Sequence, residues 1–453
     1  MNISIMLRLM HNLEQLRQHE RWTRQQLETY QVDALRHLRD YAYAHSPFYQ
    51  RFHQGLTDRP LNELPVLTKA MMMEHFDDVV TDRSLHLEDV RAYAEHGEAG
   101  QRYRNRYWVN ATSGSSGQPG FFLFDQAEWT SILASFARSQ EWSGVRINLT
   151  RRQRMATVAS ISPWHMSSQV AATVKSLWRP SLRLPASQPL PQTVEQLDAW
   201  QPEVLIAYAS MAQTLAEEQL AGRLHIHPQV VYAASEVLTA RTRERVRAAW
   251  GAEPFNQYVA TETASIAAEH RLCHHLHFFE DLVIVENVDE HHQPMPPGEY
   301  GAKLLVTTLF SRTQPLIRYE LNDSIRVRRE VHDCPLPFAV LDDVQGRVED
   351  ALHLPAVTGG EIVVRPLVFT RIMDIVPISG WQVAQQADQG LVVLLAGVRD
   401  GLTDETLVDQ LTRSLAQEGA HAPYIQVQRV SAIPKTASGK APLVKAYRPA
   451  SPA

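Results

Sequence analysis

Two stretches of this 453-residue chain hold residues whose types and spacing could do chemistry. The first is Thr112-Ser113-Gly114-Ser115-Ser116-Gly117-Gln118-Pro119-Gly120. Small residues let a backbone approach a ligand closely, and consecutive N–H groups beside hydroxyls can cradle phosphate oxygens. It is not a Walker A loop, because no Gly-Lys-Ser/Thr follows four residues after a glycine. Read alone, such a loop is more often a plain connector. The second stretch places His270, Cys273, His274, His275 and His277 close together, with Cys334 further along. Zinc takes four Cys or His ligands tetrahedrally. The same residues would also suit a polar, partly exposed loop, and with 20 histidines in the chain some clustering is expected.

Further short motifs follow in order: Ala234-Ser235-Glu236, Tyr258-Val259-Ala260-Thr261-Glu262, Pro315-Leu316-Ile317-Arg318-Tyr319 with Asp323, Gly346-Arg347 with Glu349-Asp350, and Pro434-Lys435-Thr436-Ala437-Ser438-Gly439-Lys440. With the Ser/Gly loop, this series resembles the adenylate-forming superfamily of acyl-CoA synthetases, luciferases and peptide synthetases. That superfamily usually has Lys where this chain has Gln118. Ser46-Pro47-Phe48-Tyr49, the run Leu64 to Lys69 and the run Pro315 to Asp323 resemble its phenylacetate–CoA ligase-like branch, which includes proteins labelled as capsular-polysaccharide or coenzyme F390 synthetase relatives. The resemblance covers nearly the whole chain. It implies an α/β fold with a large N-terminal adenylation domain of mixed sheets, residues 1–347, that binds ATP and the acid. A small mobile α+β C-terminal domain, residues 348–453, would carry the catalytic lysine and rotate between an adenylating and a thioester-forming pose.

The resemblance also implies roles for individual residues. Ser113, Gly114, Ser115, Ser116 and Gly117 would hold the β- and γ-phosphates, and Thr261 would donate to the α-phosphate. Glu262 would bind Mg²⁺, a hard ion that prefers carboxylate oxygen. Tyr258 would pack on adenine, with the backbone of Ala234, Ser235 and Glu236 along its edge. Asp323 offers two acceptors to a ribose diol, and Arg347 would contact ribose or phosphate. Lys440 would bridge the acid and the α-phosphate when the small domain closes, its alternative being a solvated surface lysine. Asp350 would be the hinge, against a surface carboxylate, and Arg318 stands open between a phosphate contact and a core ion pair. Some members of the branch hold a structural zinc. Here His270 occupies a cysteine-like place and Leu336 replaces a second late cysteine, which leaves His270, Cys273, His277 and Cys334 as the ligand set. The acyl pocket would draw on Trp164, His165 and Tyr208, with core packing as the alternative for the tryptophan.

The implied reaction is ATP-dependent ligation of a small, by expectation aryl, carboxylic acid to coenzyme A through an acyl-adenylate, with release of AMP and pyrophosphate. A carrier-protein thiol, an amine or a hydroxyl could also accept the acyl group. A non-catalytic nucleotide-binding homologue is the rival class, and keeping Glu262, Asp323, Arg347 and Lys440 argues against it. ATP, Mg²⁺ and coenzyme A are the expected cofactors, with structural Zn²⁺ as a further one, and a homodimer is an open assembly.

The chain-wide pattern agrees. Composition is 44% hydrophobic, enough for full-sized cores, and 44 Lys and Arg against 50 Asp and Glu give no basic footprint for nucleic acid or an anionic membrane. Two cysteines exclude a disulfide framework and make the cytoplasm the expected compartment. The N-terminus lacks a signal-peptide pattern, and the apolar run Leu391 to Val398 is far short of the ~20 residues a spanning helix needs. Helical spacing predicts helices over residues 11–20, 21–43, 69–76, 126–141, 239–250 and 405–417. Strand-like runs fall at 107–111, 120–123, 155–160, 204–207, 257–259, 282–286, 302–309, 391–395 and 425–430. The alternation favours an α/β core with crossovers, a β-rich middle third and a small α+β unit at the end.

Overall fold

The computed structural model describes residues 3–112, 119–145, 152–174, 179–330, 334–347, 351–399, 401–436 and 439–447. The expectations for Ser113, Gly114, Ser115, Ser116, Gly117, Gln118, Glu349 and Asp350, and for the side chain of Arg347, lie outside the described residues.

A nine-stranded sheet forms the centre. Ser181–Pro185, Met155–Ala159, Val204–Tyr208, Val230–Ala234 and Pro254–Ala260 lie side by side in that order and run parallel. Ala264–Glu269, Leu276–Phe278, Val340–Arg347 and Asp323–Val327 continue the sheet antiparallel. Side chains alternate across the pleat. Ala156, Val158, Leu184, Leu205, Ala207 and Val231 pack with Leu197, Met211, Leu215 and Val246 of the helices Leu190–Trp200, Ala209–Leu220 and Ala240–Trp250. The other face, carrying Thr157, Arg183 and Ile206, borders a long cleft. Ligands of open α/β sheets sit at the carboxyl ends of parallel strands. The motifs Ala234 to Glu236 and Tyr258 to Glu262 fall at two such ends.

The first helix runs over Ile3–His19, further toward the N-terminus than the polar run from His11 indicates. Ile5, Leu9, Leu13 and Leu16 recur on one face and are buried, and the helix packs along the helix Gln126–Trp142. The second, Arg24–His45, starts at a capping box between Thr23 and Gln26. Arg138 of the Gln126–Trp142 helix donates both terminal nitrogens to Asp281 at 2.8 Å, and His19 Nδ1 lies 2.9 Å from the same carboxylate. Burial alone would push this carboxyl up, but Arg138 and His19 outweigh it and hold it below its usual range.

A separate hydrophobic core begins at Leu352 and ends at Val444. It lies between a four-stranded sheet, ordered Ile425–Val430, Leu391–Ala396, Gly380–Gln385, Val444–Lys445, and the helix Asp404–Gln417, which contributes Leu407, Leu411 and Leu415 at four-residue spacing. The expected α+β character of this region holds. Among the described residues no helix is long and apolar enough to cross a membrane.

Candidate active site

The cleft gathers most of the motif residues. Tyr258 and Asp323, far apart in sequence, meet in a 2.7 Å hydrogen bond from the phenol to the carboxylate. Asp323 opens the strand Asp323–Val327, and its partner in register is Arg347. Glu262 follows the strand Pro254–Ala260, is buried, and faces Tyr319, whose phenol is pushed well above its usual range by burial and then by the Glu262 charge. Ser235 and Ala264 adopt left-handed backbone at φ +65° and +64°. A non-glycine residue pays roughly 1–3 kcal/mol for this, and such strain collects at functional sites.

Lys440 reaches the cleft from the far core. Its Nζ lies 5.5 Å from the centre of the Tyr208 ring. A tight turn presents it: Thr436 N donates to Lys440 O at 2.8 Å and Gly439 N to Thr436 O at 2.8 Å. Three contacts tie the turn to the central sheet. Lys435 Nζ donates to Ala186 O at 3.0 Å, Gly439 lies against Ala186, and Ala441 N donates to Glu236 Oε1 at 2.9 Å. The other Glu236 oxygen accepts from Ser210 N at 2.8 Å. Burial pushes the Glu236 carboxyl up, while the two amides and the Lys440 ammonium pull it down. Further along the seam, Arg241 Nη1 donates to Val376 O at 2.6 Å and Arg365 Nη1 to Gly301 O at 3.1 Å.

His165 and Trp164 border the same cleft. The His165 imidazole is held below its usual pKa by burial and then by Lys440, so it is neutral at pH 7. Tyr208 is fixed by a 2.9 Å hydrogen bond from Ser160 N to its oxygen. Trp164 also packs on the main core and stacks edge-on with Tyr93 at 5.5 Å, so the core and lining readings both apply to it.

The Cys/His cluster comes together in space. Ligand atoms of His270, Cys273 and Cys334 lie within 4.8 Å of one another, and His277 Nε2 is 3.3 Å from Cys273 Sγ. His277 Nδ1 donates to Phe338 O at 3.1 Å, which makes Nε2, the nitrogen turned to Cys273, the one carrying the lone pair. His270 Nδ1 is buried without a hydrogen-bond partner, an orphan a metal would satisfy. His274 and His275 turn away, to Glu269 at 3.4 Å and Arg328 at 2.8 Å. His270, Cys273 and Cys334 converge as zinc ligands would, and His277 reaches the group through Cys273.

Arg318 belongs to the core. It is buried, its Nε lies 3.2 Å from both Glu286 oxygens, and Nη1 donates to the Leu64 carbonyl. The sequence gives no signal for Ala186 or Arg241, which act through backbone contacts between distant segments. The Glu236 side chain is likewise invisible as a latch, since only the backbone of its motif draws attention.

No family model matches the chain. Protein CapK of Staphylococcus aureus is 22% identical over 289 residues, 61% of this chain and 56% of that protein, so the chain spans about half the length of this curated relative. Among solved structures, a 2-hydroxyisobutyryl-CoA ligase in the postadenylation state with R3-HIB-AMP aligns with a TM-score of 0.74 at 17% identity, covering 95% of this chain and 91% of that one. The fold is that of the adenylate-forming CoA ligases. ATP-bound MatB from Rhodopseudomonas palustris aligns with a TM-score of 0.50 at 15% identity, over 73% of this chain and 65% of its own. The 2-hydroxyisobutyryl-CoA ligase in its thioesterification state aligns over the same 95% of this chain with a TM-score of 0.59.

Proposed function

We propose that the chain is an ATP-dependent, AMP-forming acid–CoA ligase of the phenylacetate–CoA ligase-like type, with an adenylation domain over residues 1–347 and a mobile domain over residues 348–453. The observation that carries this reading is the Lys440 turn, latched by Glu236 and Ala186 over the strand ends where Thr261, Glu262, Tyr258 and Asp323 converge. In-line attack of one anion on another needs charge neutralised at the α-phosphate and at the five-coordinate transition state. Lys440 supplies a cation there in the docked pose, and Thr261 a hydroxyl. Asp323 takes the ribose diol, held in place by the Tyr258 hydrogen bond, while Ala234 and Ser235 edge the base. Glu262 would hold Mg²⁺, which neutralises phosphate charge when bound. The neutral His165 and the Tyr208 ring wall the acid and keep water from it. A carboxylate oxygen bonds to the α-phosphorus as pyrophosphate leaves, and a CoA thiolate then bonds to the acyl carbon as AMP leaves.

The test is carboxylate-dependent ATP–pyrophosphate exchange without CoA, over aryl, aliphatic and amino acids. At least one acid is expected to drive exchange, and adding CoA should convert that acid to its thioester. Silence across the panel in protein that binds ATP would overturn the reading.

Structural Zn²⁺ on His270, Cys273, His277 and Cys334 belongs to the same proposal. About one zinc per chain should survive dialysis, and Cys334→Ser should lose it together with thermal stability. A content below about 0.1 per chain would end the zinc assignment.

A further inference from the structure

Arg183 and Arg179 border the cleft, and among the described residues neither has a carboxylate in ion-pair contact. Arg183 lies mid-strand in Ser181–Pro185, opposite Thr157. The pleat turns its neighbour Leu184 into the helix-covered core and Arg183 to the opposite face. There its Nη2 donates at 2.6 Å to Oγ of Ser168, a fully buried residue of the helix Met166–Thr173. Arg183 Nε is buried and has no hydrogen-bond partner. Burial pushes this guanidinium down, and no acidic side chain among the described residues opposes the shift. Arg179 repeats the pattern four residues earlier. Its Nη2 makes one 3.4 Å contact with Gln153, its Nε is buried and unpartnered, and the group that counters its burial is the Tyr232 phenol.

Two of the protein's buried guanidiniums meet carboxylates, Arg138 with Asp281 and Arg318 with Glu286, while Arg241 is held by the backbone carbonyls of Met373 and Val376. A cation withdrawn from water with donors unspent is costly unless something anionic joins it. Guanidinium donors are shaped for carboxylate or phosphate oxygens. Strand register locates the pair. Thr157 lies opposite both Arg183 and Ile206, and Tyr208, two residues beyond Ile206, carries the ring beneath Lys440. Arg183 is therefore two strands away, roughly 10 Å across the sheet, and one pleat back from the place where a carboxylate would be activated.

We propose that the acid activated in this cleft carries a second anionic group, and that Arg183, supported by Arg179 and Ser168, binds it while the reacting carboxylate faces Lys440. The inference rests on the ligase reading above and narrows its substrate to dicarboxylic acids with several bonds between the two groups. Phosphate oxygens of CoA offer the same chemistry, so the test separates the two sources.

The full-length protein and its Arg183→Met and Arg183→Lys variants are compared on adipate and isophthalate against hexanoate and benzoate. The readouts are ATP–pyrophosphate exchange and calorimetric binding without ATP. The wild type should favour the dicarboxylates by about 100-fold in kcat/KM. Arg183→Met should reduce that preference to about threefold, mainly through KM, Arg183→Lys should restore part of it, and KM for ATP should stay unchanged. Exchange with no dicarboxylate preference, or a preference that survives Arg183→Met, overturns the inference and leaves the ligase reading standing. A defect of Arg183→Met confined to CoA and absent with 3′-dephospho-CoA overturns it in favour of a CoA phosphate. If no acid supports exchange, the ligase reading falls. Calorimetric binding of adipate or isophthalate that Arg183→Met abolishes would then still support the anion site, and no such binding would overturn it.

Discussion

Lys440→Ala is expected to slow acyl-adenylate formation by about 100- to 1000-fold, or roughly 3 to 4 kcal/mol, the range seen when one preorganised donor to a developing anion is removed. ATP binding should be little changed, because the adenine and ribose contacts assigned to Tyr258 and Asp323 lie on other elements. Thioester formation from supplied acyl-adenylate should also persist, because the proposed domain rotation assigns that step to another pose of the C-terminal segment. The variant has a second readout. The Lys440 charge adds to burial in holding down the His165 pKa, so the alanine variant should let the imidazole titrate at higher pH by NMR. A lysine that merely decorated the surface would change rates by less than about threefold and leave His165 alone. Unchanged pyrophosphate exchange would remove Lys440 from the mechanism.

How far the site can be read from sequence depends on the range over which each feature is fixed. The helix Asp404–Gln417 and the strand Ile425–Val430 follow from residues a few positions apart, and helical spacing or alternation reveals them. Of the four residues proposed as zinc ligands, His270, Cys273 and Cys334 come together and His277 approaches Cys273. His277 sits in a three-residue strand with its side chain turned inward, whereas His274 and His275 lie in the preceding turn and face other partners. Arg318 could not be assigned, because its partners Glu286 and Leu64 lie on distant segments. The same holds for the Glu236 latch, whose two donors come from Ser210 and Ala441. Arg183 is hidden for a further reason. A lone arginine in a short apolar strand looks like a solvated edge residue until the sheet order and the Ser168 contact show which way it faces. Motifs report chemistry carried by contiguous residues, while docking is a long-range event that leaves almost no local trace.

Gly439→Ala should test that docking without touching a charged group. Gly439 has φ +84°, and a methyl built on it would lie 2.6 Å from Ala186 Cβ, 2.8 Å from Ala186 C and 2.9 Å from Ser187 N. Left-handed strain costs roughly 1–2 kcal/mol and overpacking another 1–3. The neighbours in the way are mostly backbone, so they cannot swing aside. Undocking the Lys440 turn relieves both costs at once, which makes undocking the expected response. A penalty of about 2–5 kcal/mol shifts the docked population by roughly 30- to 5000-fold, and pyrophosphate exchange should fall by a similar factor. Thioester formation from supplied acyl-adenylate should be retained. The melting temperature should move by no more than about 2 °C, because the cores of both regions are untouched. Gly251→Ala is the control. It shares a positive φ of +65°, but its added methyl meets nothing within 4 Å, so it should carry strain without the clash and leave exchange unaltered. If Gly439→Ala exchanged pyrophosphate at the wild-type rate, the docked turn would not be the adenylating pose, and the role assigned to Lys440 would fall with it.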